Sequence, residues 1–168
     1  MHCAGIPCWG TIETTSVAAW REALDVNALG TFLACRFGVE AMKGRGGAIV
    51  VVASTASMRA VTGQIGYAAS KAAALQVMRC TAIHCGQQGY KIRCNAVLPG
   101  LVDTPMARTL EHRLGGRAAM EEAASRIHPI GRMAQPQEIA AAIAFLASDD
   151  ASFITASGYA VDGGKMEV

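Results

Sequence analysis

Apolar side chains recur along residues 17–42 at helical rather than alternating spacing: Leu24, Val26, Leu29, Phe32, Leu33, Phe37 and Val39. Ser16 stands just ahead of them, and its hydroxyl can accept from the first free backbone amides. The pattern predicts a helix from near Val17 to about Met42, stopped by Lys43-Gly44-Arg45-Gly46-Gly47. Ala48–Ala53 is apolar on both faces and rich in β-branched residues, as in a strand buried within a parallel sheet. Ser54-Thr55-Ala56-Ser57 then opens a loop. From about Gly66 to Gln87 small and aliphatic residues run almost all round a helix, so it is predicted to be buried on more than one side. Gly89 ends it. Ile92–Leu98 reads as the next strand, halted by Pro99-Gly100. Leu101–Gln135 is mixed in character and predicts short helices and loops over a pocket. Pro136 suits a first helical turn, and that helix runs to about Ser148. Tyr159–Val161 is a last strand, turned by Asp162-Gly163-Gly164. Strands alternating with helices imply crossover connections, a parallel sheet and an α/β fold.

Composition narrows the class. The 168 residues suffice for one domain, 1–168. Hydrophobic residues make up 52%, only 5% are aromatic, and there are 18 glycines, so disorder is excluded and close helix-on-sheet packing is favoured. A net charge of +2 gives no electrostatic reason to expect nucleic acid. No apolar run approaches the ~20 residues of a membrane span, so no membrane association is expected. The start, Met1-His2-Cys3-Ala4-Gly5, does not read as a signal peptide. Six cysteines include no C-x-x-C pair, and the four histidines are scattered, so no metal site is expected. Cys35 and Cys80 in helical stretches and Cys94 in a strand are expected as buried free thiols of a reducing cytoplasm.

Chemistry gathers around Tyr67 and Lys71. Four residues apart on a helix, they share a face. A phenol with a reference pKa near ~10 exchanges protons poorly at neutral pH, and a neighbouring ammonium lowers that value. Tyr67 is therefore a candidate general acid/base. Ser54 follows the preceding strand, at the strand edge where open parallel sheets bind ligands. Pro99-Gly100-Leu101-Val102-Asp103-Thr104 follows the next strand and opens on that same edge. Asn27 lies in mid-helix among apolar neighbours, where its amide is costly unless the backbone or a site satisfies it.

The ordered set Cys3-Ala4-Gly5, Trp20…Asp25-Val26-Asn27, Gly47–Val50…Ser54, Tyr67-Ala68-Ala69-Ser70-Lys71, Asn95…Pro99-Gly100…Val102…Thr104, Gly131-Arg132…Pro136…Glu138 and Asp162-Gly163-Gly164 spans the chain. It resembles the short-chain dehydrogenase/reductase family, in the branch of the 3-oxoacyl-carrier-protein reductases. The resemblance implies a catalytic tetrad of Asn27, Ser54, Tyr67 and Lys71. Tyr67 would exchange the proton at the carbonyl or alcohol oxygen, which Ser54 would hold. Lys71 would lower the Tyr67 pKa and bond the nicotinamide ribose, and Asn27 would hold a water near Lys71. Pro99, Gly100, Val102 and Thr104 would line the nicotinamide end of NAD or NADP, and Ala4 and Gly5 the adenosine side.

Two departures stand out. His2 and Cys3 replace the asparagines that open the family's N-N-A-G, and the chain starts where the family's fourth strand ends. No glycine-rich phosphate loop follows a strand here. The expectation is the C-terminal two-thirds of a doubly wound, Rossmann-type domain, in a truncated form. The implied function is NAD(P)-dependent hydride transfer between cofactor and a small secondary alcohol or ketone. A non-catalytic oligomerisation or binding remnant is the alternative. Met106, Leu110, His112, Met120 and Ile127 name no particular substrate. Relatives pair the two long helices across a two-fold axis, so a homodimer or homotetramer is expected, with Ala69, Ala73 and Val77 near the contact.

Overall fold

The computed structural model describes residues 1–168. Strands β1 (Gly47–Val52), β2 (Ile92–Pro99) and β3 (Gly158–Val161) form one sheet in that order. All neighbours run parallel, with Ile49 opposite Cys94 and Val97 opposite Tyr159. This is part of a doubly wound sheet. The chain start adds a further line beside β1: the His2 amide donates to Val50 O at 2.9 Å, and the Val52 amide donates to His2 O at 2.8 Å.

Successive strand residues point to opposite faces. Ile49, Val51, Cys94, Ala96 and Leu98 pack with Leu75, Met78 and Cys85, on the side covered by α3 (Ile65–Gln87). Val50 and Val97 pack on the other side with Ile139 and Leu146 of α6 (Pro136–Ala147). Both faces are therefore dry, as the strand composition predicts. Glu138 accepts from the Gln135 amide at 2.7 Å at the start of α6. Arg93 donates to the carbonyls of Leu146 and Ser148 at its end, both at 2.8 Å, supplying partners that the helix itself lacks.

The helix predicted over 17–42 has an interruption. α1 (Val17–Ala23) passes through a π-helical turn, Leu24–Leu29, before α2 (Gly30–Met42). Ser16 caps the first part, accepting from the Ala19 amide at 3.1 Å. The wider turn inserts at Asn27, whose side chain bonds to distant segments. The stretch expected to form short helices contains α4 (Pro105–Leu114) and α5 (Arg117–Ile127). Ala107, Met120, Ala124 and Met133 give these helices a small core of their own.

One cysteine expectation fails. Cys35 and Cys94 are buried, together with Cys8 and Cys85, but Cys80 is exposed. Met78, Ala82 and Cys85 occupy the core-facing positions of that stretch of α3, which turns Cys80 to the groove between α2 and α3. Burial pushes the Cys94 thiol far above its ordinary range. No helix is long and apolar enough to cross a membrane.

Candidate active site

Three segment ends meet at one edge of the sheet. Ala4 and Gly5 follow the His2 bridge to Val51, Ser54 follows β1, and Gly100 follows β2. The Ala53 amide donates to Val97 O at 3.0 Å, which holds the ends of β1 and β2 in step. Ser54 is extended, and its hydroxyl accepts from the Ala56 amide at 3.1 Å, starting a short 3-10 turn over Thr55–Ser57. Ser57 Oγ donates to Lys71 O at 2.9 Å. The loop after β1 is thereby clipped to α3 beside the candidate residues.

Tyr67 and Lys71 lie in the opening turns of α3. Ser54 stands beside the phenol, and the Lys71 ammonium lies 5.9 Å from the phenol ring centroid. Lys71 is only 5% exposed, and its Nζ donates to Val52 O at 3.0 Å. Burial pulls the lysine down to about 8, with Cys3 acting weakly the other way. Burial raises the Tyr67 phenol above its ordinary value, with Ser54 opposing. The expected lowering of Tyr67 is therefore not met: removing the phenolate from water outweighs its stabilisation here. His2 is also lowered, first by burial and then by the Lys71 charge.

Asn27 is fully buried. Its Nδ2 donates to Ile6 O at 3.0 Å and to Ser70 Oγ at 2.9 Å, while Oδ1 accepts from the Ile6 amide at 2.8 Å. Ser70 passes the link on, donating to Tyr67 O at 2.8 Å. One amide thus ties the segment after Gly5 to the turn that carries Tyr67. Ser70 and the Ile6 backbone were not singled out from the sequence, although Ser70 sits inside the motif beside Lys71. Two glycines permit this closeness. A Cβ on Gly5 would lie 3.0 Å from Lys71 Nζ and 3.1 Å from Asn27 Oδ1, which places Gly5 against both side chains. A Cβ on Gly66 would lie 2.6 Å from Cys8 Sγ.

Pro99 is buried at the end of β2, and the following turn is tied to the segment before α6. The Ala134 amide donates to Leu101 O at 3.0 Å and the Asp103 amide to Ala134 O at 2.9 Å, with Val102 bridging Ala134. Thr104 precedes α4 at its N-cap position. These residues fit the nicotinamide–ribose end of a dinucleotide. Lys71 and Tyr67 offer donors side by side, and Gly5 leaves beside them a space that a Cβ would fill. A pyrophosphate calls for a glycine-rich turn between a strand and a helix. Among residues 1–168, α3 opens at Gln64, α4 at Thr104-Pro105 and α6 at Gln135-Pro136, while Gly115-Gly116 follows a helix. The residues present fit half of the cofactor.

Comparison with known proteins agrees with this geometry. Residues 1–165 match the family model described as enoyl-(acyl carrier protein) reductase. Over 162 residues the chain is 36% identical to a trans-4-hydroxycyclohexanecarboxylate dehydrogenase of Sinomonas cyclohexanicum, covering 96% of this chain and 58% of that protein. It is 34% identical over 167 residues to an NADP-dependent (R)-specific alcohol dehydrogenase of Lentilactobacillus kefiri, covering 96% and 63%. The crystal structure of levodione reductase superposes with a TM-score of 0.91 at 33% identity, over 99% of this chain and 65% of that one. The chain thus spans less than two-thirds of each of these relatives. With matching motifs in order, a parallel sheet and these relatives, the chain belongs to the short-chain dehydrogenase/reductase family.

Proposed function

We propose that the protein is an oxidoreductase that uses NAD or NADP to interconvert a secondary alcohol and a ketone, with Tyr67 as the acid/base. The observation that carries this reading is the Tyr67 phenol beside Ser54, with the buried Lys71 ammonium 5.9 Å from its ring centroid. The bound dinucleotide supplies or accepts the hydride, and the chain's own residues handle the proton. Ser54 holds the substrate oxygen next to Tyr67. In reduction, the phenol, protonated at neutral pH, donates to that oxygen as it gains charge. In oxidation, the Tyr67 phenolate takes the proton from the alcohol, a direction favoured by rising pH. Lys71 and Gly5 bound the ribose side. Asn27 Oδ1 has a second lone pair and shares with Lys71 Nζ the space beside Gly5, where a water would join the two in a proton relay.

Pro99, Gly100, Val102 and Thr104 line the nicotinamide side in this reading, and Ala4 precedes Gly5 at its other margin. One relative is named for a ring-borne secondary alcohol, so cyclohexanol is the first substrate to assay. The six free cysteines support a reducing, cytoplasmic setting. A second copy pairing through α2 and α3 is supported by exposed Leu29, Phe32, Phe37 and Ile83. Ala73 and Val77 line the groove between those helices, which has a volume of about 780 Å³. Sedimentation showing a dimer or tetramer at micromolar concentration is expected, and a monomer throughout contradicts the pairing.

The test of function is Tyr67→Phe in the cofactor-dependent enzyme, which removes one hydroxyl and preserves packing. A fall in kcat of ~10²–10⁴ with little change in cofactor affinity is expected. Near-normal turnover refutes the role of Tyr67.

A further inference from the structure

His128 lies far from Tyr67 in sequence and belongs to no motif that the tetrad uses. It follows α5, and its side chain is only 2% exposed. The ring is pressed into the turn after β2. Its Nε2 accepts from the Leu101 amide at 3.1 Å. A Cβ on Gly100 would come within 2.6 Å of that same nitrogen and 3.1 Å of Asp162 Cα. Gly100 is therefore a glycine because the imidazole on one side and the Asp162 backbone on the other leave no room for a side chain.

We propose that His128 is a positioning residue, whose Nε2 holds the Leu101 amide and so sets the path of the Pro99–Thr104 turn. The proposal rests on the reading above, in which this turn lines the nicotinamide side. The turn has three other backbone ties: the Gly100 amide donates to Val161 O at 3.2 Å, Leu101 O accepts from the Ala134 amide at 3.0 Å, and the Asp103 amide donates to Ala134 O at 2.9 Å. Those three bond backbone to backbone. Arg117 of α5 also reaches the turn, through its exposed pair with Asp103, so the His128 bond is the buried side-chain tie between the turn and the end of α5.

The bond also dictates a protonation state. A nitrogen that accepts from an amide carries no proton, so in the neutral ring the proton is on Nδ1. That atom is buried without a hydrogen-bond partner. Protonating Nε2 would set two N–H groups against each other and release Leu101. The charged groups facing the ring are Lys165 and Asp162 from the end of β3 and beyond; Arg132, in the loop after α5, lines the same pocket and acts on the ring through its backbone. Arg132 is engaged with both oxygens of Glu138 on α6, at 2.8 and 2.7 Å. Burial first, then Lys165, pulls the histidine below its ordinary value, with the Arg132 backbone and then Asp162 opposing, so the accepting form is the one present at neutral pH.

Nitrogen-15 NMR of the 168-residue chain tests this without cofactor or turnover. In the wild type, His128 is expected as the Nδ1–H tautomer, with the Leu101 amide shift following its titration below pH 6.5. His128→Leu is expected to speed exchange of the Leu101 amide by about tenfold, the equivalent of one lost hydrogen bond, while Val50 and Val97 amides keep their protection. His128→Gln places an amide oxygen near the position of Nε2 and is expected to restore slow exchange. An Nε2–H tautomer in the wild type overturns the proposal even if neither variant folds. Unchanged Leu101 exchange in His128→Leu, or no rescue by glutamine, also overturns it. These readings are independent of Tyr67→Phe, so failure of the positioning role and failure of the oxidoreductase reading are distinguishable.

Discussion

Lys71 and Arg117 are two cations near the same edge of the sheet, held by opposite means. Lys71 is nearly out of water, has one carbonyl partner and is pulled down to about 8 by burial. Arg117 is 44% exposed, makes paired bonds to Asp103 at 2.8 Å each and a third to Glu121, and is pushed up by those partners. The contrast extends to the segments that carry them. Around α3, buried polar groups bond to backbone from distant parts of the chain: Asn27 to Ile6, Ser57 to Lys71 O, and Lys71 to Val52 O. Around α4 and α5, surface ion pairs, the Arg113 guanidinium 5.4 Å from the Trp9 ring, and a four-residue core provide the attachment. Buried bonds are costly to break and specify one arrangement. Exposed pairs are weak and screened by salt. The polar ties around α3 are mostly buried, whereas those around α4 and α5, the His128 bond to Leu101 apart, are mostly exposed.

Asn27→Leu should strike the first region hardest. It leaves the Ile6 amide and carbonyl and the Ser70 hydroxyl without their buried partner, and a loss of about 3 kcal/mol or more in urea unfolding is expected. A loss below about 1 kcal/mol would mean that the amide does not anchor this region. Next in size is the pH dependence of Lys71. The unfolded chain binds the lysine proton up to 10.5 and the folded chain only to about 8, so across that window the unfolded state holds more protons. Stability referred to Lys71→Met should therefore rise with pH, by on the order of 2–3 kcal/mol, and fall again as pH drops toward the folded value. A flat difference from pH 8 to 10.5 would contradict the buried placement of the ammonium.

The smallest effect belongs to the second region. Arg117→Met removes the bonds to Asp103 and Glu121, yet the global unfolding midpoint should stay within error of the wild type. Hydrogen exchange should quicken in Arg117–Ile127 alone, and more so in the wild type as salt is added. A drop in the global midpoint would show that α4–α5 is as firmly joined as α3.

The difference between the regions also explains what the sequence disclosed. Strand positions were legible because Ile49, Val50 and Val51 are apolar whichever face they meet. Helix limits were legible because Ser16, Gly89 and Pro136 act on their own neighbours. That Tyr67 and Lys71 share a helix face was legible through their four-residue spacing. The π turn at Leu24–Leu29 was not, because its purpose is fulfilled by Ile6 and Ser70, 21 and 43 residues away from Asn27. His128 was hidden for the same reason, its partner Leu101 being 27 residues distant. The raised Tyr67 follows from burial, which depends on how the layers close and has no signature at the residue itself.

In the proposed function, residues 1–168 carry the proton-handling groups and the nicotinamide side of a dinucleotide site, without a seat for the pyrophosphate. Calorimetric titration of the 168-residue chain with NADH, NADPH and reduced nicotinamide mononucleotide tests that division directly. All three should bind with similar dissociation constants no better than about millimolar, near −4 kcal/mol, since the pyrophosphate finds no seat. A micromolar constant for either dinucleotide, with the mononucleotide left far weaker, would contradict it.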